Sequence, residues 1–105
     1  MGIKAEEEVT ILANTILRAN QYAMANSRED LLGLQAEAEE AAARIFRDYV
    51  GNRFMQTRLN ELNEAYDDLL EEIGAALVGA KTDFLRVFDD WSVHFPEFDE
   101  VIENA

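Results

Sequence analysis

The sequence predicts an all-α protein, either an antiparallel helical hairpin or a small three- or four-helix bundle whose long second half is heptad-patterned. Three observations carry that prediction. Apolar residues recur at three- and four-residue spacing in both halves, no stretch reads as a strand, and the 105 residues hold one proline and five glycines. A chain of this length with 49% apolar content is expected to build one domain around a modest core.

The first helix is expected over about 4–25, where Val9, Leu12, Ala13, Ile16 and Ala23 share one face and Ile11, Leu17 and Tyr22 widen it. So wide a stripe points to contact with more than one neighbour. Ser27 before Glu29 and Asp30 resembles a capping box, which starts a second helix over about 27–50. Its core face is Leu31, Leu34, Ala38, Ala42, Ile45 and Tyr49, and its alanine-rich middle is a strong helix former that permits close packing. Gly51-Asn52 suits a left-handed helix end and sets a turn at about 50–53.

Beyond that turn, Met55, Leu59, Leu62, Tyr66, Leu69, Ile73, Ala76, Ala80, Phe84, Val87 and Trp91 step by four and three. This is the strongest pattern in the chain and predicts one long helix over about 54–91. Gly74 and Gly79 weaken it, so the alternative is a break at Gly79 with Thr82 capping a new segment. Pro96 suits the first turn of a short C-terminal helix over about 96–103 that holds Phe98, Val101 and Ile102.

Twenty-two acids against nine bases leave a net charge of −13, which repels nucleic acid and anionic membrane surfaces. The partners expected are therefore proteins: a second copy, another helical protein, or a basic protein that normally holds nucleic acid. Neither direct nucleic-acid binding nor membrane binding is expected. With no cysteine, disulfides, thiolate metal sites and cysteine nucleophiles are excluded. The first eight residues lack an apolar signal region, so the expected location is the cytoplasm, or outside the cell by export without a cleavable signal.

No constellation for catalysis emerges, and neither enzyme activity nor a metal or cofactor is expected. Neighbouring acids such as Asp67, Asp68, Glu71 and Glu72 diverge around a helix and read as a solvated face. His94 is the sole histidine and reads as structural or incidental. Gly74, Gly79, Lys81 and Thr82 nearly spell a phosphate loop, but they lie within helical periodicity and do not follow a strand.

Arg44, Arg47, Arg53 and Arg58 gather near the mid-chain turn, and pairing with acids such as Asp48 and Glu61 is their default role. Phe84 and Trp91 lie on the heptad seam, whereas Phe88, Phe95 and Phe98 have no place on it. Phe88, Phe95 and Phe98, together with Arg53 and Arg58, are accordingly the candidate partner-binding residues.

Tyr49-Val50-Gly51 followed by Phe54 resembles the aromatic-x-Gly turn of the small Trp-x-Gly family exported by type VII secretion, with Tyr49 and Arg53 standing where that family usually has Trp and a small residue. The stretch Leu69-Leu70-Glu71-Glu72-Ile73 resembles the second helix of such proteins. The resemblance implies a helical hairpin, homo- or heterodimerisation and recognition by the secretion machinery. It would place the aromatic-x-x-x-acid export signal at Phe95 and Asp99, with Pro96 inside it.

The function expected is thus that of a non-enzymatic, acidic, helical interaction module, oligomeric or part of a heteromeric complex, docking through its heptad seam and C-terminal aromatics. The alternative is an acidic inhibitor or nucleic-acid mimic, of the kind a phage encodes, whose carboxylates occupy a basic groove on a target protein.

Overall fold

In the computed structural model, which describes residues 5–49 and 56–103, the apolar stripes become five helices. They are α1 (Ala5–Met24), α2 (Arg28–Tyr49), α3 (Gln56–Leu77), α4 (Phe84–Ser92) and α5 (Glu97–Glu103), with no strand among the described residues. The mid-chain turn at Gly51-Asn52, the aromatic-x-Gly signature, Arg53 and the side chain of Tyr49 lie outside the described residues.

α1 ends because Asn26 adopts a left-handed conformation, φ 53°. The Ser27 amide then reaches back to the Tyr22 carbonyl at 2.9 Å and the Asn26 amide to Ala23 at 3.1 Å, a Schellman closure of the last turn. Ser27 begins α2: its carbonyl accepts from Leu31 at 3.0 Å, while its hydroxyl bonds the Asp30 carboxylate.

The expectation of one helix over 54–91 is corrected at the same kind of feature. Gly79 sits at φ 79°, where a Cβ is strained, and Ala80 and Gly79 donate to Ala75 and Ala76 at 2.9 and 3.1 Å. α3 therefore stops at Leu77 even though the heptad stepping runs on. Asp83, not Thr82, caps α4, its side chain accepting from the Arg86 amide at 3.1 Å. Pro96 precedes α5 as expected.

Cross-helix bonds give the directions. Arg44 meets Glu8 at 2.9 Å and Arg18 meets Glu37 at 3.0 Å, so α1 and α2 are antiparallel. Arg28, opening α2, donates to the Leu77 carbonyl that closes α3, so α2 and α3 are antiparallel as well. α4 and α5 return along α3 and pack on α1, which touches every other helix. Of the two architectures expected, hairpin and bundle, the chain takes the second: an up-down-up-down bundle whose fourth limb is α4 plus α5.

The long axis of 40 Å is close to the ~33 Å that a 22-residue helix spans. One core fills the bundle, from Val9, Leu12 and Ile16 through Leu34 and Ile45 to Leu62, Leu69 and Ile73, and on to the aromatic residues of the fourth limb. Ala41 is buried where Ala42, which is only partly buried, was expected on the core face. No helix among the described residues is long and apolar enough to cross a membrane.

Candidate functional site

The aromatic residues expected to meet a partner belong to the core instead. Phe88 is 2% exposed and Phe95 and Phe98 are fully buried. Their rings form a chain, with Phe88 to Phe98 at 4.8 Å, Phe98 to Phe95 at 5.6 Å and Phe95 to Trp91 at 6.0 Å between centroids. The break at Gly79 is the physical reason. It ends α3, and the fourth limb then turns inward Phe84, Phe88 and Trp91 from α4, Phe95 from the link after α4 and Phe98 from α5, spaced by four, three, four and three residues. That stepping is visible in the sequence once the break is accepted.

Arg58 is also drawn inward. Its guanidinium pairs with Glu97 and lies 5.6 Å over the Phe95 ring, clamping the start of α3 to α5. It is therefore not a free partner contact. The heptad seam of α3 is likewise consumed within the chain: Leu59, Leu62, Tyr66, Leu69 and Ile73 are all at most 4% exposed. Of the residues the export-signal resemblance would use, Phe95 is buried and only Asp99 is exposed.

A ladder of polar contacts runs along the join between α3 and the fourth limb. Glu72 accepts from the Asp83 amide at 3.0 Å, Asp68 from the Trp91 indole at 2.8 Å, and Glu61 lies 3.1 Å from Nδ1 of His94; the Arg58–Glu97 pair closes the row. His94 is exposed, beside Glu61 and with its ring 5.2 Å from that of Trp91.

Outside that ladder lies the surface that holds most of the charge. Residues 1–55 contain nine acids and six bases, nearly balanced, whereas residues 56–105 contain thirteen acids and three bases. Glu64, Asp67, Glu71, Asp89, Asp90, Asp99 and Glu100 all point to solvent. Between α3 and α4 runs a groove of about 320 Å³ lined by Asp68, Glu71, Glu72, Asp83 and Asp90, with Arg86 and Val87. Arg86 leans 3.9 Å from Asp90, too exposed a pair to neutralise the groove.

One further polar cluster is internal. Glu8, 1% exposed, binds Arg44, while its second oxygen and the hydroxyl of the fully buried Tyr66 have no hydrogen-bond partner. Burial, with the nearby Glu8 carboxylate, pushes the Tyr66 phenol well above its ordinary value, and Arg44 offsets only part of the rise. Among the described residues no three acids or histidines are arranged to hold a metal ion.

Fold and site together define a class: an acidic up-down-up-down helical bundle with a carboxylate-lined groove between its third and fourth limbs. Compared with family models, with curated proteins and with solved structures, the chain has no significant match.

Proposed function

We propose that this chain is a non-enzymatic, acidic protein-binding module that engages a basic protein surface through the carboxylates of α3–α5. The observation that carries the reading is the placement of charge: the second half holds ten of the thirteen net negative charges. Many of its acids are neighbours along one helix. Glu64, Asp67, Asp68 and Glu71 stand three and four residues apart, where like charges repel by about 0.2–0.5 kcal/mol per pair. None of α3, α4 and α5 has a basic residue in its last turn to complement the helix dipole. The run of acids along α3 works against that helix, and a basic partner relieves the repulsion on binding. A row of fixed carboxylates also speeds encounter with a basic protein and suppresses binding of acidic ones. A nucleic-acid-binding protein is one target of that description.

The experiment is capture from host extract on the immobilised chain, with an Asp67→Asn/Glu71→Gln/Asp90→Asn variant as the parallel bait. The expected outcome is a basic protein held at low salt, released at high salt and not retained by the variant. A partner held equally by both baits at high salt would overturn the reading.

A further inference from the structure

Beyond the acidic groove, α2 carries a second surface that the fold leaves uncovered. Its inner face is spent on the core through Leu31, Leu34, Ala38, Ala41 and Ile45. On the outer side Leu32, Ala36, Glu39, Ala43 and Phe46 form a second heptad stripe, stepping by four, three, four and three, and all five are exposed. At 100° per residue they fall within an arc of about 80°. Leu32 and Phe46, 46% and 59% exposed, stand about 21 Å apart along the axis. Between them Ala36 and Ala43 leave the backbone open to close approach, as the seam of a coiled coil requires.

Charge selects the occupant. Over the length of that face, residues 32–46, α2 contains three acids and one base, Arg44, which is turned to Glu8, and Glu39 occupies the centre of the seam with Glu40 beside it. A second copy docked symmetrically, parallel in register or antiparallel about the centre, sets Glu39 against Glu39 at the most desolvated position of the contact. A helix with lysine or arginine at its middle seam position and apolar residues toward both ends satisfies every position. We propose that the outer face of α2 is a docking site for a basic amphipathic helix of another protein, with Leu32 and Phe46 as anchors and Glu39 as the selector. The site lies on a different helix from the carboxylate groove and does not depend on it.

The test uses the full chain, labelled with nitrogen-15, and a three-heptad peptide with leucine at its seam positions except for one central lysine. Sedimentation of the chain alone comes first. The expected result is a monomer whose α2 amides shift on titration with the peptide. Phe46→Ala, a change at an exposed site, weakens binding at least about tenfold, with Leu32→Ala as the second variant. Glu39→Lys abolishes binding of the lysine peptide and restores it for a peptide with glutamate at the central position. Shifts confined to α3–α5, or equal affinity of the wild type and Glu39→Lys, would overturn the proposal. So would self-association of the chain that Phe46→Ala removes, because a second copy would then be the occupant.

Discussion

The α1–α2 pair and the α3–α5 segment share one core yet treat charge in opposite ways. The first pair carries nine acids and four bases, its cross-helix contacts are ion pairs at 2.9 and 3.0 Å, and Arg47 in the last turn of α2 complements its dipole. In the second segment acids outnumber bases thirteen to three. There Glu72, Asp83 and Asp68 accept hydrogen bonds from an amide or an indole, Glu97 and Glu61 face Arg58 and His94, and the other acids are exposed. The proposed function rests on that contrast: exposed acids of the second half stand three and four residues apart along α3, where like charges repel.

Substitutions can break that comparison, and the largest effect is expected where the two halves join. Phe98→Ala should lose about 3–5 kcal/mol in chemical denaturation, because a fully buried ring packed on Phe88 and Phe95 leaves a cavity. A folded, stable Phe98→Ala protein with weakened partner binding would return that residue to the surface. Next comes Glu8→Ala, which leaves the Arg44 guanidinium without its buried partner and should cost about 3 kcal/mol, the lower end of the range because the Arg44 side chain is 27% exposed. Replacing both residues, Glu8→Leu with Arg44→Met, should cost less than Glu8→Ala alone. Gly79→Ala meets no neighbour within 4 Å, so only the left-handed backbone is strained and the loss should be about 1 kcal/mol.

Tyr66 sharpens the comparison through pH. Its folded-state value is raised above the ordinary 10.0, so the folded protein holds the phenolic proton more tightly than the unfolded chain does. The stability this gives is complete below about pH 10 and is lost as pH rises from there toward the folded-state value. Stability curves between pH 8 and 12 should fall more steeply for the wild type than for Tyr66→Phe. At neutral pH that substitution should change stability by less than about 1 kcal/mol, since the hydroxyl has no partner to lose.

The sequence made much of this legible. The stripes of α1 and α2 follow directly from apolar spacing, as does the burial of Phe84 and Trp91. The end of α3 was legible only as the alternative to one long helix, because heptad stepping continues across Gly79 as if the helix did; the local preference of that glycine for a left-handed conformation outweighed a pattern five heptads long. Phe88 was missed with it, because it packs inward on the separate helix that begins at Phe84; Phe95 and Phe98 lie in the link after α4 and in α5, where no long-helix pattern applies. Arg58, a candidate partner contact by sequence, pairs within the chain instead, and its partner is not a neighbouring acid but Glu97, 39 positions away, beyond the reach of spacing arguments. The acidic surface was legible as composition. Its concentration in one groove needed the antiparallel return of α4 along α3.

The most direct test of the central claim, that the second-half carboxylates are surplus to the fold, is the unfolding free energy of a Glu64→Gln/Asp67→Asn/Glu71→Gln/Asp90→Asn variant beside the wild type, at low and high salt. The account predicts a variant at least as stable as the wild type at low salt, with the two converging as salt screens the wild-type repulsion. A variant clearly less stable than the wild type at both salts would contradict it and make those carboxylates part of what holds the bundle together.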